Sequence, residues 1–244
     1  MVVSCTMIGC AGSPGDSSLP DATPRNNNVP IGGQTSGDLL FEGLIIQTNS
    51  DRGVIAWVRV CNDIREPIPD AKVTVNGRPY TFIEPRHMLT FNETCAHYEG
   101  KAGYEPDRNY RLRIVTQDNR RAEGNVHAPL TQNLIEPNLP DQATVARNEN
   151  FVLNWIYEGD PPPQVLIAII DQTGRRLYAA LLDGLTTRFE IPAEDMLSIP
   201  PGEHELWIVA INGVQINQAF IDPVLGVGSG LWVGIGIVRR LFFI

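Results

Sequence analysis

The chain has 244 residues, 43% of them hydrophobic, and a formal net charge of −9. That apolar content supports two cores of about 100 residues each and excludes global disorder. The acid is concentrated late, because residues 37–135 hold 13 acids and 12 bases whereas residues 136–244 hold 13 acids and 6 bases. Phosphate binding needs a net positive face, so nucleic acid is excluded as a partner of the second half.

The first ten residues are a short apolar run ending in Met7-Ile8-Gly9-Cys10, followed by the small residues Ala11 and Gly12. This resembles the lipobox of bacterial lipoproteins, in which a small residue precedes a cysteine that is lipidated and becomes the first residue after cleavage. The resemblance implies lipidation at Cys10, a membrane partner through a lipid anchor, and a cell-envelope location. Ala11 and Gly12 by the same analogy imply outer-membrane retention. The chain departs from the pattern in carrying Met7 where leucine is usual, and no basic segment precedes the run. Residues 11–37, rich in Gly, Pro, Ser and Asn, offer almost no large apolar side chains and are expected to form a flexible linker.

From Leu39 the pattern turns to period two. Runs at Leu39 to Thr48, Gly53 to Cys61, Ala71 to Val75, Pro79 to Ile83, Met88 to Phe91, Cys95 to Tyr98, Tyr110 to Thr116 and Arg121 to His127 are predicted strands. Asn76-Gly77, between Val-Thr-Val and Pro-Tyr-Thr-Phe, is a hairpin signal because both turn residues tolerate positive φ. The stretch Pro67-Ile68-Pro69-Asp70-Ala71-Lys72-Val73 resembles the opening of a strand in bacterial Ig-like and carboxypeptidase-regulatory-like modules. Tyr110 before Leu112 and Ile114 resembles the tyrosine corner of Ig-like sandwiches. Together these imply an Ig-like sandwich over 38–135.

Glu136 to Pro140 carries two prolines in five residues and is the expected boundary between domains. After it, Phe151, Leu153 and Trp155 share a strand face, resembling the core-tryptophan strand of fibronectin type III domains. Strands are predicted at Val165 to Asp171, Arg176 to Leu182, Thr187 to Ile191, from Glu203, and at Val214 to Ile221, with one helical turn at Ala193 to Leu197. The fold class is thus all-β: two tandem sandwiches, 38–135 and 136–244. Ile199 to Asn212 echoes Pro106 to Val115, placing His204 where Tyr110 stands. On that register His204, Leu206, Ile208 and Ala210 face inward, and Glu205 and Trp207 face outward. Val165 to Ile170 is apolar on both faces and is expected to be covered on both. The glycine-rich segment from Gly226 to Ile244 reads as a closing core strand, an interchain strand donor, or a membrane contact.

Cys61 and Cys95 are the pair left in folded sequence, and an oxidising compartment lets them bridge near a strand end; two unpaired thiols are the alternative. Sites of chemistry are mostly missing. His204-Glu205 opens like a zincin motif but lacks the second histidine, and His87, His97, His127 and His204 do not cluster at metal-ligand spacing. Gly226 to Gly230 lacks the Lys-Ser/Thr of a phosphate loop. Asn92-Glu93-Thr94 fits a glycosylation acceptor that a bacterial reading leaves silent. No cofactor, metal or catalytic set is expected. The residues read as binding positions are outward Trp207 and the basic pair Arg111 and Arg113. The sequence therefore points to a non-catalytic, envelope-anchored binding or spacer protein that recognises an envelope protein or glycan. Two alternatives are a structural subunit assembling by strand exchange through its C-terminal strand and an accessory domain of a secreted hydrolase system.

Overall fold

The computed structural model describes residues 33–35, 39–49, 53–62, 66–83, 95–101, 103–130, 135–157, 159–217 and 229–244. Cys10, most of the 11–37 linker, His87, Met88 to Phe91, Asn92 to Thr94 and residues 226–228 lie outside these residues.

The alternation read from the sequence becomes strand after strand. The first half supplies β1 (Gly33–Thr35), β2 (Leu39–Thr48), β3 (Val54–Asn62), β4 (Lys72–Val75), β5 (Arg78–Ile83), β6 (Ala96–Glu99), β7 (Asn109–Val115) and β8 (Arg121–His127). The second half supplies β9 (Ile135–Pro137), β10 (Ala143–Val145), β11 (Phe151–Tyr157), β12 (Gln164–Ile170), β13 (Arg176–Asp183) and β14 (Arg188–Ile191). A short helix, α1 (Ala193–Ser198), precedes the two longest strands, β15 (Gly202–Asn217) and β16 (Ser229–Phe243). The protein is all-β, as its period-two pattern requires.

Local chemistry explains several connections. Asn76 and Gly77 take φ of 49° and 76°, and Val75 stands opposite Arg78, so β4 and β5 are joined by the two-residue turn expected there. In β7 only Tyr110, Leu112 and Ile114 are buried, while Asn109, Arg111 and Arg113 are exposed. The Pro67 to Ala71 approach to β4 is held by Tyr98, whose buried hydroxyl accepts from the Ala71 N–H at 2.9 Å and donates to the Ile68 carbonyl. Burial, with the Asp70 charge adding to it, pushes the Tyr98 phenol up to about 12.

The strands follow the order β1-β8-β7-β4-β5-β6-β3-β2-β16-β15-β12-β13, with β10 alongside β16; β14, β11 and β9 form a separate three-stranded sheet. β16 sits between the halves. It runs antiparallel to β15 from Gly202 opposite Phe243 to Asn217 opposite Ser229, and parallel to β2 from Gly230 opposite Glu42 to Gly236 opposite Thr48. One core follows the same path, joining Leu112, Ile114 and Val126 of the first half to Val165, Ile208 and Val233 of the second. Neither the sheet nor the core breaks at residue 136.

The expected boundary is itself structured. Ile135–Pro137 pairs with β11, and the Asn138 N–H donates to the Asn154 carbonyl at 2.9 Å. Asp141 then ties the segment to β16, accepting from the Arg240 backbone N–H at 2.7 Å and pairing with its guanidinium at 3.3 Å. Pro137 is accommodated because it ends its strand, where no further ladder donor is needed. The last residues of the expected linker are likewise ordered, since Gly33 to Thr35 pair with Gly124 to Ala122 along the edge of β8. The break expected near Gly213 is also absent. β15 runs through it because the ring of Trp232, directly opposite, covers the space a Cβ on Gly213 would need.

Candidate functional site

Trp207 is not on the surface. It points away from the face of Leu206 and Ile208, as alternation requires, yet it is 0% exposed and packs with Leu166, Ala168, Val209 and Trp232 in a second apolar cluster. Its indole N–H donates to Glu205 at 3.0 Å. The sequence placed the face correctly, but that face of the sheet is buried too, so Trp207 cannot meet a partner. The same burial bears out the two-sided covering expected for Val165 to Ile170, which β12 keeps in both clusters.

Arg111 and Arg113 are exposed, as expected, but they share one counter-ion. Glu123, opposite Arg113 on β8, accepts from Arg111 Nη2 at 2.7 Å and from Arg113 Nε at 3.2 Å. The paired arginines hold its carboxyl below the usual range, led by the hydrogen bond from Arg111. The two cations are thus partly neutralised within the chain and form a weaker anion site than their charge alone implies.

Cys61 and Cys95 form the disulfide, with Cα atoms 4.9 Å apart, beside Leu40 at the end of β3. His204 is buried, as the inward register implied. Its ring is buried against Phe243 at 5.4 Å and its Nε2 hydrogen-bonds to the Pro200 carbonyl at 2.8 Å. Strand geometry keeps it apart from Glu205, as expected. Among the described residues no group of three or more His, Cys, Asp or Glu side chains could hold a metal ion, and no helix is long and apolar enough to cross a membrane.

The concave feature with mixed chemistry lies elsewhere, on β3, β5 and β6. Trp57 of β3 stands opposite Glu99 of β6, and Glu99 stands opposite Thr81 of β5, so the three side chains form a row across one face. The next row sets Glu42 opposite Arg59 and Arg59 opposite His97. Around the first row opens a cleft of about 770 Å³, with Val54, Ile55 and Ala56 contributing apolar wall on the β3 side. Arg78 and Pro79 approach from the start of β5, and Gly100 and Lys101 from the end of β6.

The buried row behind the cleft is electrostatically unusual. Arg59 and His97 are buried, with the Arg59 guanidinium carbon 5.7 Å from the Trp57 ring centre and the His97 ring 5.8 Å from it. His97 Nε2 lies 3.3 Å from Glu99 Oε1, which leads out of the core to the cleft. Burial, with Arg59 adding to it, lowers the His97 pKa, and the Glu99 hydrogen bond only partly opposes this. The imidazole is therefore neutral at physiological pH and links a buried cation to a cleft-lining carboxylate. Trp57 carries a buried indole N–H with no hydrogen-bond partner.

Sequence reasoning missed this cleft. Trp57 and Arg59 were visible as sharing a face with Cys61, but only the β3–β6 and β5–β6 pairings bring Glu99 and Thr81 beside them. An arginine and a histidine at inward positions of predicted strands were the available signal, since charged groups rarely enter a core unpaired. No protein-family profile matches the chain, and no curated protein sequence matches it either.

Proposed function

We propose that this protein is a non-catalytic binding module of the cell envelope, anchored through Cys10, that holds an envelope protein or glycan in the Trp57 cleft. The cleft carries the reading: a concavity of about 770 Å³ that sets apolar wall against a few polar groups has the size and make-up of a ligand site. His97 is 0% exposed and cannot act on a substrate, which leaves Glu99 as the member of the His97–Glu99 pair that meets a ligand. The Cys61–Cys95 disulfide supports an oxidising compartment.

Thr81→Trp tests the site, since the exposed Thr81 side chain can be enlarged into the cleft without touching the core. Binding of the full chain to an array of envelope glycans and to envelope extract is expected to fall at least tenfold at unchanged melting temperature. Undiminished binding overturns the assignment. Mass spectrometry of the native protein is expected to find a lipidated Cys10 as first residue; an intact Met1 with unmodified Cys10 overturns the anchor.

A further inference from the structure

The lining of the cleft narrows its ligand. We propose, resting on the binding reading above, that it takes a carboxylate-bearing sugar: a uronate unit of an acidic glycan. Arg78 and Lys101 both line the cleft and are exposed, and neither enters an ion pair with a described residue. The Arg78 guanidinium reaches only the Lys101 carbonyl, at 3.5 Å. Two uncompensated cations face the single carboxylate of Glu99, which makes this a positive spot on a chain of net charge −9. Such a spot attracts an anion.

The remaining groups select among anions. Trp57 is 0% exposed and its indole N–H is enclosed, so it backs the cleft without reaching a ligand. Glu99, whose side chain is 43% exposed, accepts hydrogen bonds and needs a ligand that also donates. A phosphate brings acceptors only, and its second charge is repelled by Glu99. A uronate brings a singly charged carboxylate for Arg78 and Lys101, hydroxyl donors for Glu99 and Thr81, and C–H faces for the apolar wall beside Ile55. An acidic peptide carries the carboxylate but not the ring of hydroxyls.

Calorimetric titration of the full chain with trigalacturonate and with a glucuronate trisaccharide tests this. Methyl-esterified trigalacturonate, neutral trigalactose and a triglutamate peptide are the comparison ligands. Binding of at least one uronate oligomer is expected, at least tenfold tighter than its uncharged counterpart, with R78Q and K101Q each weakening it about tenfold. Both substitutions are at exposed positions, and their melting curves check that the fold is kept. Equal affinity for neutral sugar overturns the carboxylate. Equal or tighter binding of the peptide overturns the sugar, and absence of binding to both uronates overturns the ligand class. In each of these cases the Thr81→Trp experiment still reports whether the cleft binds anything.

Discussion

Tyr110 and His204 each carry a buried ring whose polar atom turns back to a carbonyl a few residues upstream. Tyr110 donates to Gly103 at 2.8 Å and accepts from the Glu105 N–H at 2.7 Å, while His204 bonds to Pro200 at 2.8 Å. This is the geometry that the tyrosine-corner resemblance implies. Tyr110→Phe removes the hydroxyl and leaves the Gly103 carbonyl and the Glu105 N–H short of partners. A loss of about 1–3 kcal/mol is expected, read from denaturant midpoints at constant slope.

Acidification acts through His97 before it acts through the carboxylates. Its folded pKa lies below the unfolded value of about 6.5, so the unfolded chain binds the proton first and stability falls as pH drops through and below that value. Asp118, Glu123 and Asp141 have folded pKa values below their ordinary ones, so their contribution is present above the usual carboxylate range and lost only at lower pH. Melting temperature against pH is expected to show the earlier decline, and His97→Gln is expected to flatten it. A profile unchanged by the substitution would count against His97 as its source.

Reduction of Cys61–Cys95 removes a link across 34 residues that include the β4–β5 hairpin. The chain-entropy model puts the cost at about 4 kcal/mol. Comparing denaturant unfolding of the native protein with Cys61→Ala/Cys95→Ala checks this, and a cost below about 1 kcal/mol would show that the reduced chain already confines this loop.

Gly236 is a close-approach position. A Cβ there would stand 2.6 Å from the Ile208 carbonyl oxygen and 2.8 Å from the Val209 Cα, both backbone atoms that cannot rotate aside. Gly236→Ala is expected to destabilise the protein by about 1–3 kcal/mol despite the better strand propensity of alanine. Thermal melting of this variant beside Gly77→Ala separates packing from turn geometry, because nothing lies within 4 Å of a Cβ on Gly77 and only its positive φ resists a side chain.

Much of the architecture could be read from the residues because period-two alternation records which face of a strand is buried. Leu39–Thr48 and Arg121–His127 have the bounds that alternation implied, and Asn76-Gly77 turns where its chemistry required. Alternation is silent on what covers a face, so Trp207 was assigned to the surface although a second apolar cluster encloses it. It is silent as well on which strands pair. The parallel contact of β16 with β2, and the row of Trp57, Glu99 and Thr81, come from distant segments meeting in register, and no local pattern encodes that meeting.

The place of β16 also sets a timetable for folding. β2 is made early, yet its parallel neighbour β16 is the last strand to be made, so its hydrogen-bonding edge stays open through most of synthesis. Pairing at such sequence separation is slow, because a large loop must close before any contact rewards it. An open edge on an apolar strand is an invitation to other chains during that interval. The nascent chain is therefore most exposed to aggregation just before residues 229–243 arrive, and shielding β2 until then is the task its folding environment must perform.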